Sequence, residues 1–542
     1  MWFITNALYT THYILFLKMR LFVFLFLLTY CSYSQQWLGI SSSNYAGTYN
    51  IYSNPANIAD SRYKFFMNIA GVNAEMINNY AAWAAPYSFI GLTTNNVADK
   101  YRATNGLPAY KNSYTKETIG KLNSVAFVGA DVRGPSLIYT FEKSKFAIGL
   151  TSRIRVLTNL NNTTSDVAHV MVSGTVLPDL YGKAQNDNYF TMNLNGYTEM
   201  GLTFGVVIRE QDQDFFKVGL TIKRVNGLLN IHYLAEDIDF TIDKNAQLSK
   251  RQDVFFKNAQ GVFGLTNGDA LKDFQFTPQW LFGNLAAGTG YGFDVGAVYE
   301  FRPNFDKYDI KLKGKWRTDG TKNKYQYRIG VSLLDIGRLS FNNEKYVNET
   351  NIAVNNILVP PGTFNKIDSQ DKLYNQMNNA FGLAETNYQH SFVSPLPMAF
   401  SINFDYKLSE KIYFNAAWVQ SLRNSKTIGM VQPSLLAITP RFESKQLELS
   451  LPIALINGYR NFTVGLMGRL GPLFLGTDNI GGILNIANPK GISGYFGLFL
   501  PIYRKLPDAP NTCPIEQKST IGQKLRIFFQ KRLQRKRWKR VR

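Results

Sequence analysis

The stretch 398–419 switches between greasy and polar side chains with a period of two. Met398, Phe400, Ile402, Phe404, Tyr406 and Leu408 are separated by Ala399, Ser401, Asn403, Asp405 and Lys407. Ser409-Glu410 marks a tight turn, and KIYFNAAWV follows as a second run of similar length. Successive residues of a strand point to opposite faces, so such a segment must separate an apolar medium from a polar one.

The same alternation recurs from Tyr63, Phe146, Met200, Phe216, Tyr291 and Tyr325, and again in 435–444, 447–453, 462–470 and 493–503. Lys311, Lys313 and Lys315 alternate with Ile310, Leu312 and Trp316 and predict one more strand. With weaker runs near 76–89, 121–143 and 230–243, the pattern predicts about 14 strands, within a range of about 12 to 16, each near the length a tilted membrane strand requires. Of the 542 residues 45% are hydrophobic, yet mean hydropathy is slightly negative. Alternation hides apolar content in this way, and a bundle of membrane helices does not.

A soluble β-sandwich would show the same alternation with the greasy face turned inward. The N-terminus argues for export instead. Lys18 and Arg20 precede an apolar run from Leu21 to Leu28, and Ser32 and Ser34 stand at the −3 and −1 positions before Gln35. That run is shorter than the ~20 residues a spanning helix needs. Residues 1–34 therefore read as a signal peptide, with Met19 as an alternative start. The expected fold class is all-β, a transmembrane antiparallel barrel. Its domains are 35–61 (an N-terminal plug or periplasmic segment), 62–505 (the barrel with long loops) and 506–542 (a Pro-containing spacer and basic tail). Of the two cysteines, Cys31 lies in the signal and only Cys513 remains, so the mature chain has no internal disulfide.

Four polar stretches, 93–120, 156–196, 244–289 and 343–397, read as loops, the last with a short helix near 371–385; strand parity does not place them on one side. Chemistry-bearing motifs are sparse. His169, His232 and His390 are far apart, and neither a metalloprotease helix nor a nucleophile elbow is present. Asp237, Asp239 and Asp243 lie at even spacing and read as a solvated face rather than a cation site. Gly288, Gly290 and Gly292 open a strand and lack phosphate-loop spacing. No catalytic residue, cofactor or metal is expected.

Asn54-Pro55-Ala56, within NYAGTYNIYSNPANIA, resembles the start of FadL-type barrels and their Bacteroidota relatives. The closing stretch RLGPLFLGTDNI with YFGLFLPIY resembles a Bacteroidota outer-membrane barrel family related to PorV- and PorP-type proteins. The resemblance implies that Asn54, Pro55 and Ala56 sit in the lumen as a plug; a turn locking the first strand is the alternative. Asn57 and Ile58 replace the Gly-Leu that often follows in FadL-type chains.

Net charge is +21, and 518–542 holds eleven basic residues and no acid. Lys524, Phe528, Phe529, Lys531, Arg532, Arg535 and Lys536 fit a basic amphipathic helix, expected to dock on a periplasmic protein, peptidoglycan or anionic lipid rather than nucleic acid. The expected protein is a monomeric outer-membrane barrel bathed in outer-membrane lipid. Its expected role is non-enzymatic passage of small or hydrophobic solutes. A structural partner in a secretion or gliding assembly is the alternative, and a barrel hydrolase is third.

Overall fold

The structure is a computed structural model describing residues 37–118, 120, 123–141, 145–211, 213–243, 253–312, 315–360, 362–364 and 367–504. The expected signal peptide and the tail residues from Lys524 to Lys536 lie outside these.

Fourteen strands form the wall. The first seven are β1 (Tyr63–Asn78), β2 (Ser124–Arg133 and Ser136–Thr140), β3 (Phe146–Thr163), β4 (Gln185–Gln211), β5 (Asp214–Asp243), β6 (Gly288–Phe301) and β7 (Tyr327–Phe341). The rest are β8 (Phe392–Pro395 and Ala399–Lys407), β9 (Ile412–Ser421), β10 (Leu435–Glu443), β11 (Leu447–Ser450 and Ile453–Ile456), β12 (Asn461–Val464 and Leu466–Leu470), β13 (Leu473–Thr477) and β14 (Gly491–Tyr503). Each pairs antiparallel with the next, and β14 pairs with β1 from Tyr63↔Tyr503 to Ile77↔Gly491. The sheet is closed, so no edge is left unpaired around the ring.

The direction of the side chains excludes the sandwich. Phe404 is 41% exposed and its neighbour Asp405 1%; Ile438 is 54% exposed and Arg441 2%. Leu449, Leu475, Leu500 and Ile502 face outward, whereas Arg155, Arg469 and Glu448 are buried. An apolar band of this extent must be covered by lipid. No described helix is long and apolar enough to cross a membrane.

The start of β1 and the described C-terminal end lie at one rim, where the connections after β2, β4, β8, β10 and β12 are short turns. The connection after β6 also lies there. It holds a hairpin, Asp309–Leu312 with Lys315–Thr318, that pairs only with itself. The lysine alternation around 311–315 thus builds a hairpin off the wall rather than a wall strand. The described residues of all four polar stretches lie toward the opposite rim. Much of 156–196 is wall rather than loop: β3 runs to Thr163 and β4 begins at Gln185, because their Asn and Thr residues face a polar interior. Beyond β6 the outer half of β5 pairs with a strand at Asp253–Thr266, which pairs in turn with Val347–Val359. The helix expected near 371–385 spans Gln370–Phe381.

Candidate functional site: the filled lumen and a gap in its wall

Residues 37–62 run inside the barrel. Ala147, Gly205, Gly219, Gly296, Ser332 and Ser401 are register partners across β3 to β8 and form one row of small residues. The 3-10 turn Pro55–Ile58 lies on this row. A Cβ on Gly219 would stand 2.4 Å from the Ala56 amide nitrogen, and one on Gly296 2.2 Å from Asn54 Oδ1. Asn54 fixes the turn: its Oδ1 accepts from the Ala56 N–H (2.9 Å), and its Nδ2 donates to the Ala297 and Val331 carbonyls, each at 3.1 Å. Ser332 Oγ donates to the Ser53 carbonyl at 2.7 Å. Asn54, Pro55 and Ala56 are all buried in the lumen.

The inner end of the segment is aromatic. Trp37 packs on Tyr49, Phe474 and Tyr495 with ring centroids 5.1, 5.9 and 5.5 Å apart. Asp478 Oδ2 accepts from the Leu38 N–H (3.2 Å), and Tyr495 OH accepts from the Gly39 N–H (3.1 Å). The rim end is ionic. Asp60 lies 2.9 Å from Arg302, 3.4 Å from Lys324 and 3.5 Å from Arg504. Burial would raise the Asp60 carboxyl, but Lys324, Arg302 and Arg504 outweigh it and hold the group well below the usual carboxylate range.

Alongside the segment, Arg133, Arg153, Arg155 and Lys223 interlock with Asp131, Glu199, Asp294 and Asp335. Contacts include Arg153–Glu199 (2.9 Å), Arg155–Asp335 (2.9 Å) and Lys223–Asp294 (2.7 Å). Four cations meet four carboxylates, and all eight are buried. Toward the outer rim the lumen is crossed by 422–434, the connection between β9 and β10. Asn159 on β3, half the ring away, receives the Val431 N–H on Oδ1 (3.1 Å) and donates Nδ2 to the Val431 carbonyl (2.9 Å). Asn193 Oδ1 accepts from the Gly429 N–H at 2.9 Å.

The wall itself has one weak place. β13 has only five residues. It pairs with Leu466–Leu470 of β12 on one side and Tyr495–Leu498 of β14 on the other. Above it, 461–464 of β12 and 491–494 of β14 have no strand between them; the one-turn helix Ile480–Leu484 lies there. Side chains replace the missing ladder. Thr477 Oγ1 donates to the Ser493 carbonyl (2.8 Å), Ser493 Oγ accepts from the Asp478 N–H (2.9 Å), and Asn479 Nδ2 donates to the Gly491 carbonyl (2.9 Å). Leu484 and Ile486 are exposed on its outer side. Asp478, at the foot of this helix, is the residue that holds Leu38.

The histidines are not brought together. His169 and Ser173 both bond to Glu117 rather than to each other; His232 bonds to Asn230 and Glu349; His390 bonds to the Val347 carbonyl. Asp237 and Asp239 cluster with Asp187, while Asp243 lies elsewhere, opposite Asp253. Asp237 accepts from Asn258 and Asp239 from the Asp187 N–H. Sequence reasoning missed Asp478, the row of small residues and the Asn159 clasp; only the glycines at even strand positions hinted at the row.

A family model matches residues 55–478. The chain belongs to DUF5723, a family of unknown function. No curated protein matches. Among solved structures, the Ralstonia pickettii toluene transporter TbuX is similar at 8% identity and a TM-score of 0.36, over 87% of this chain and 99% of that one. A Pseudomonas aeruginosa FadL homologue gives 11% and 0.29, over 87% and 99%. The translocator domain of the autotransporter NalP from Neisseria meningitidis gives 7% and 0.27, over 81% and 88%.

Proposed function

We propose that this DUF5723 chain is a non-enzymatic outer-membrane barrel that passes small or hydrophobic solutes, closed in the conformation described here. The carrying observation is the gap between β12 and β14, closed by a one-turn helix; Asp478, two residues before it, holds the Leu38 N–H. An aromatic cluster of Trp37, Tyr49, Phe474 and Tyr495 lies directly inside it. Residues 37–62 act as the plug. Their seat is a smooth row of small side chains, so the plug can leave without repacking the wall. Withdrawal frees Asp478, loosens the helix and joins an apolar surface to the lipid.

The test compares the full chain with a variant lacking 37–58, both reconstituted and checked for the folded state by heat-dependent gel mobility. Uptake of the apolar dye N-phenyl-1-naphthylamine and of arabinose is measured. The full chain should be slow and the shortened barrel fast. A folded, shortened barrel as tight as the full chain would overturn the proposal.

A second reading, a partner in a membrane-bound assembly, is favoured by the outer headpiece. β4 and β5 have 27 and 30 residues, far more than a bilayer needs, and the surplus of β5 pairs with a strand outside the ring. A stoichiometric companion recovered from native membranes would support it.

A further inference from the structure

Below the plug the charge balance changes. A cavity of about 60 Å³ between Asp60 and the wall is lined by Arg62, Lys217, Arg302, Lys322, Lys324 and Arg328, against the carboxylates Asp60 and Glu300. It shares Arg62, Lys322 and Asn323 with a chamber of about 470 Å³ at the rim where β1 begins and β14 ends. That chamber adds Lys411, Lys445 and Arg504, against Glu410 and Glu443. Nine cations therefore face four carboxylates, and the acids are already engaged. Glu410 is 2.9 Å from Lys407, and Glu443 is 2.9 Å from Arg441, neither of which lines the space. Arg328 is partly answered by Asp405, which also takes Arg441. The interlocked belt deeper in the lumen is neutral by the same count. Cationic walls of low dielectric focus field on the chamber and concentrate anions there.

The chamber's cations come from five separate segments: the end of the plug, the connection after β6, the turns after β8 and β10, and the end of β14. One ligand with two or more anionic groups can therefore span several of them. The larger volume falls in the range of pockets that hold small molecules. The smaller one holds only a water or two, so a ligand stops at Asp60.

We propose that this chamber binds a small soluble polyanion bearing carboxylate or phosphate groups, and that the anion competes with Asp60 for Arg504, the one of its three partners that lines the chamber. Asp60 is the plug's ionic latch, so occupancy loosens the rim end of the plug.

The experiment is titration calorimetry of the full chain in uncharged detergent, with citrate and pyrophosphate as probes and dihexanoyl-phosphatidylglycerol as the lipid-headgroup arm. Citrate or pyrophosphate should bind. Charge reversal in K322E/K445E should weaken binding by about tenfold or more, because each reversed charge is worth on the order of a decade in affinity at close range. D60N removes the internal competitor and should strengthen binding. No binding of either soluble anion overturns the proposal; so does binding by the lipid alone, or an unchanged affinity in the folded charge-reversal variant. Failure here leaves the solute-passage proposal standing, since dye and arabinose uptake by the shortened barrel is measured without these probes.

Discussion

Single residues do most to decide whether the lumen is filled. Asn54 makes three hydrogen bonds from a buried site, so Asn54→Ala should cost about 1–3 kcal/mol of stability, read from the thermal midpoint of the refolded barrel. Gly219→Val should act differently: its Cβ meets plug backbone at 2.4 Å, so the plug must lift while the wall persists. Limited proteolysis should then cut within 37–62 at wild-type barrel stability. At the outer rim, Glu117 receives Tyr80 OH at 2.6 Å as well as Ser173 and His169. Burial would raise its carboxyl, but the bonds from Ser173, Tyr80 and His169 outweigh this and lower it. A lowered carboxyl stabilises above its unfolded value of about 4.3 and loses that stabilisation as pH falls through the folded one. Protection of 79–118 against protease should hold from neutral pH to about 5 and fall in stronger acid, and Glu117→Gln should flatten the profile. The sequence displays Asn54-Pro55-Ala56 openly as a turn. It does not display that Gly205, Gly219 and Gly296 from three strands meet in one row, because register between strands is a long-range property.

Elements were legible where alternation was strong and obscure where it failed. The hairpin from Phe400 to Val419 appears in the structure as β8 and β9, because lipid on one side and charge on the other enforce a period of two. The five residues of β13 carry too short a pattern to stand out among the surrounding glycines. The stretch 156–196 reads as a loop because its Asn and Thr residues look like turn formers. In the barrel they are luminal donors and acceptors, and Asn159 and Asn193 hold the 422–434 crossing. Asn159→Ala removes both partners of Val431. Amide exchange at 429–432 should rise by about tenfold or more, as expected for loss of two hydrogen bonds worth about 1 kcal/mol each, with strand amides unchanged. Equal exchange in the two proteins would show that packing alone retains the crossing.

For the whole molecule, what sets this barrel apart from an open pore is that its interior is solid with paired charge. Desolvating eight ionised groups is costly, and their mutual attraction offsets it only while each has an opposite neighbour. Glu199 contacts Arg153, Arg155 and Lys223, so Glu199→Gln leaves four cations facing three carboxylates. Removing one partner of such a set costs about 3–5 kcal/mol. Arg153→Met in the same chain restores equality, with Arg133, Arg155 and Lys223 facing Asp131, Asp294 and Asp335. The double variant should therefore be more stable than Glu199→Gln alone, although it has lost more hydrogen bonds. The readout is the temperature at which the folded gel band converts to the unfolded one. If the double variant melts at or below the single, individual bonds hold the belt together; if it recovers, neutrality does, and the excess of cations below the plug then stands out as a departure from the rule the rest of the lumen obeys.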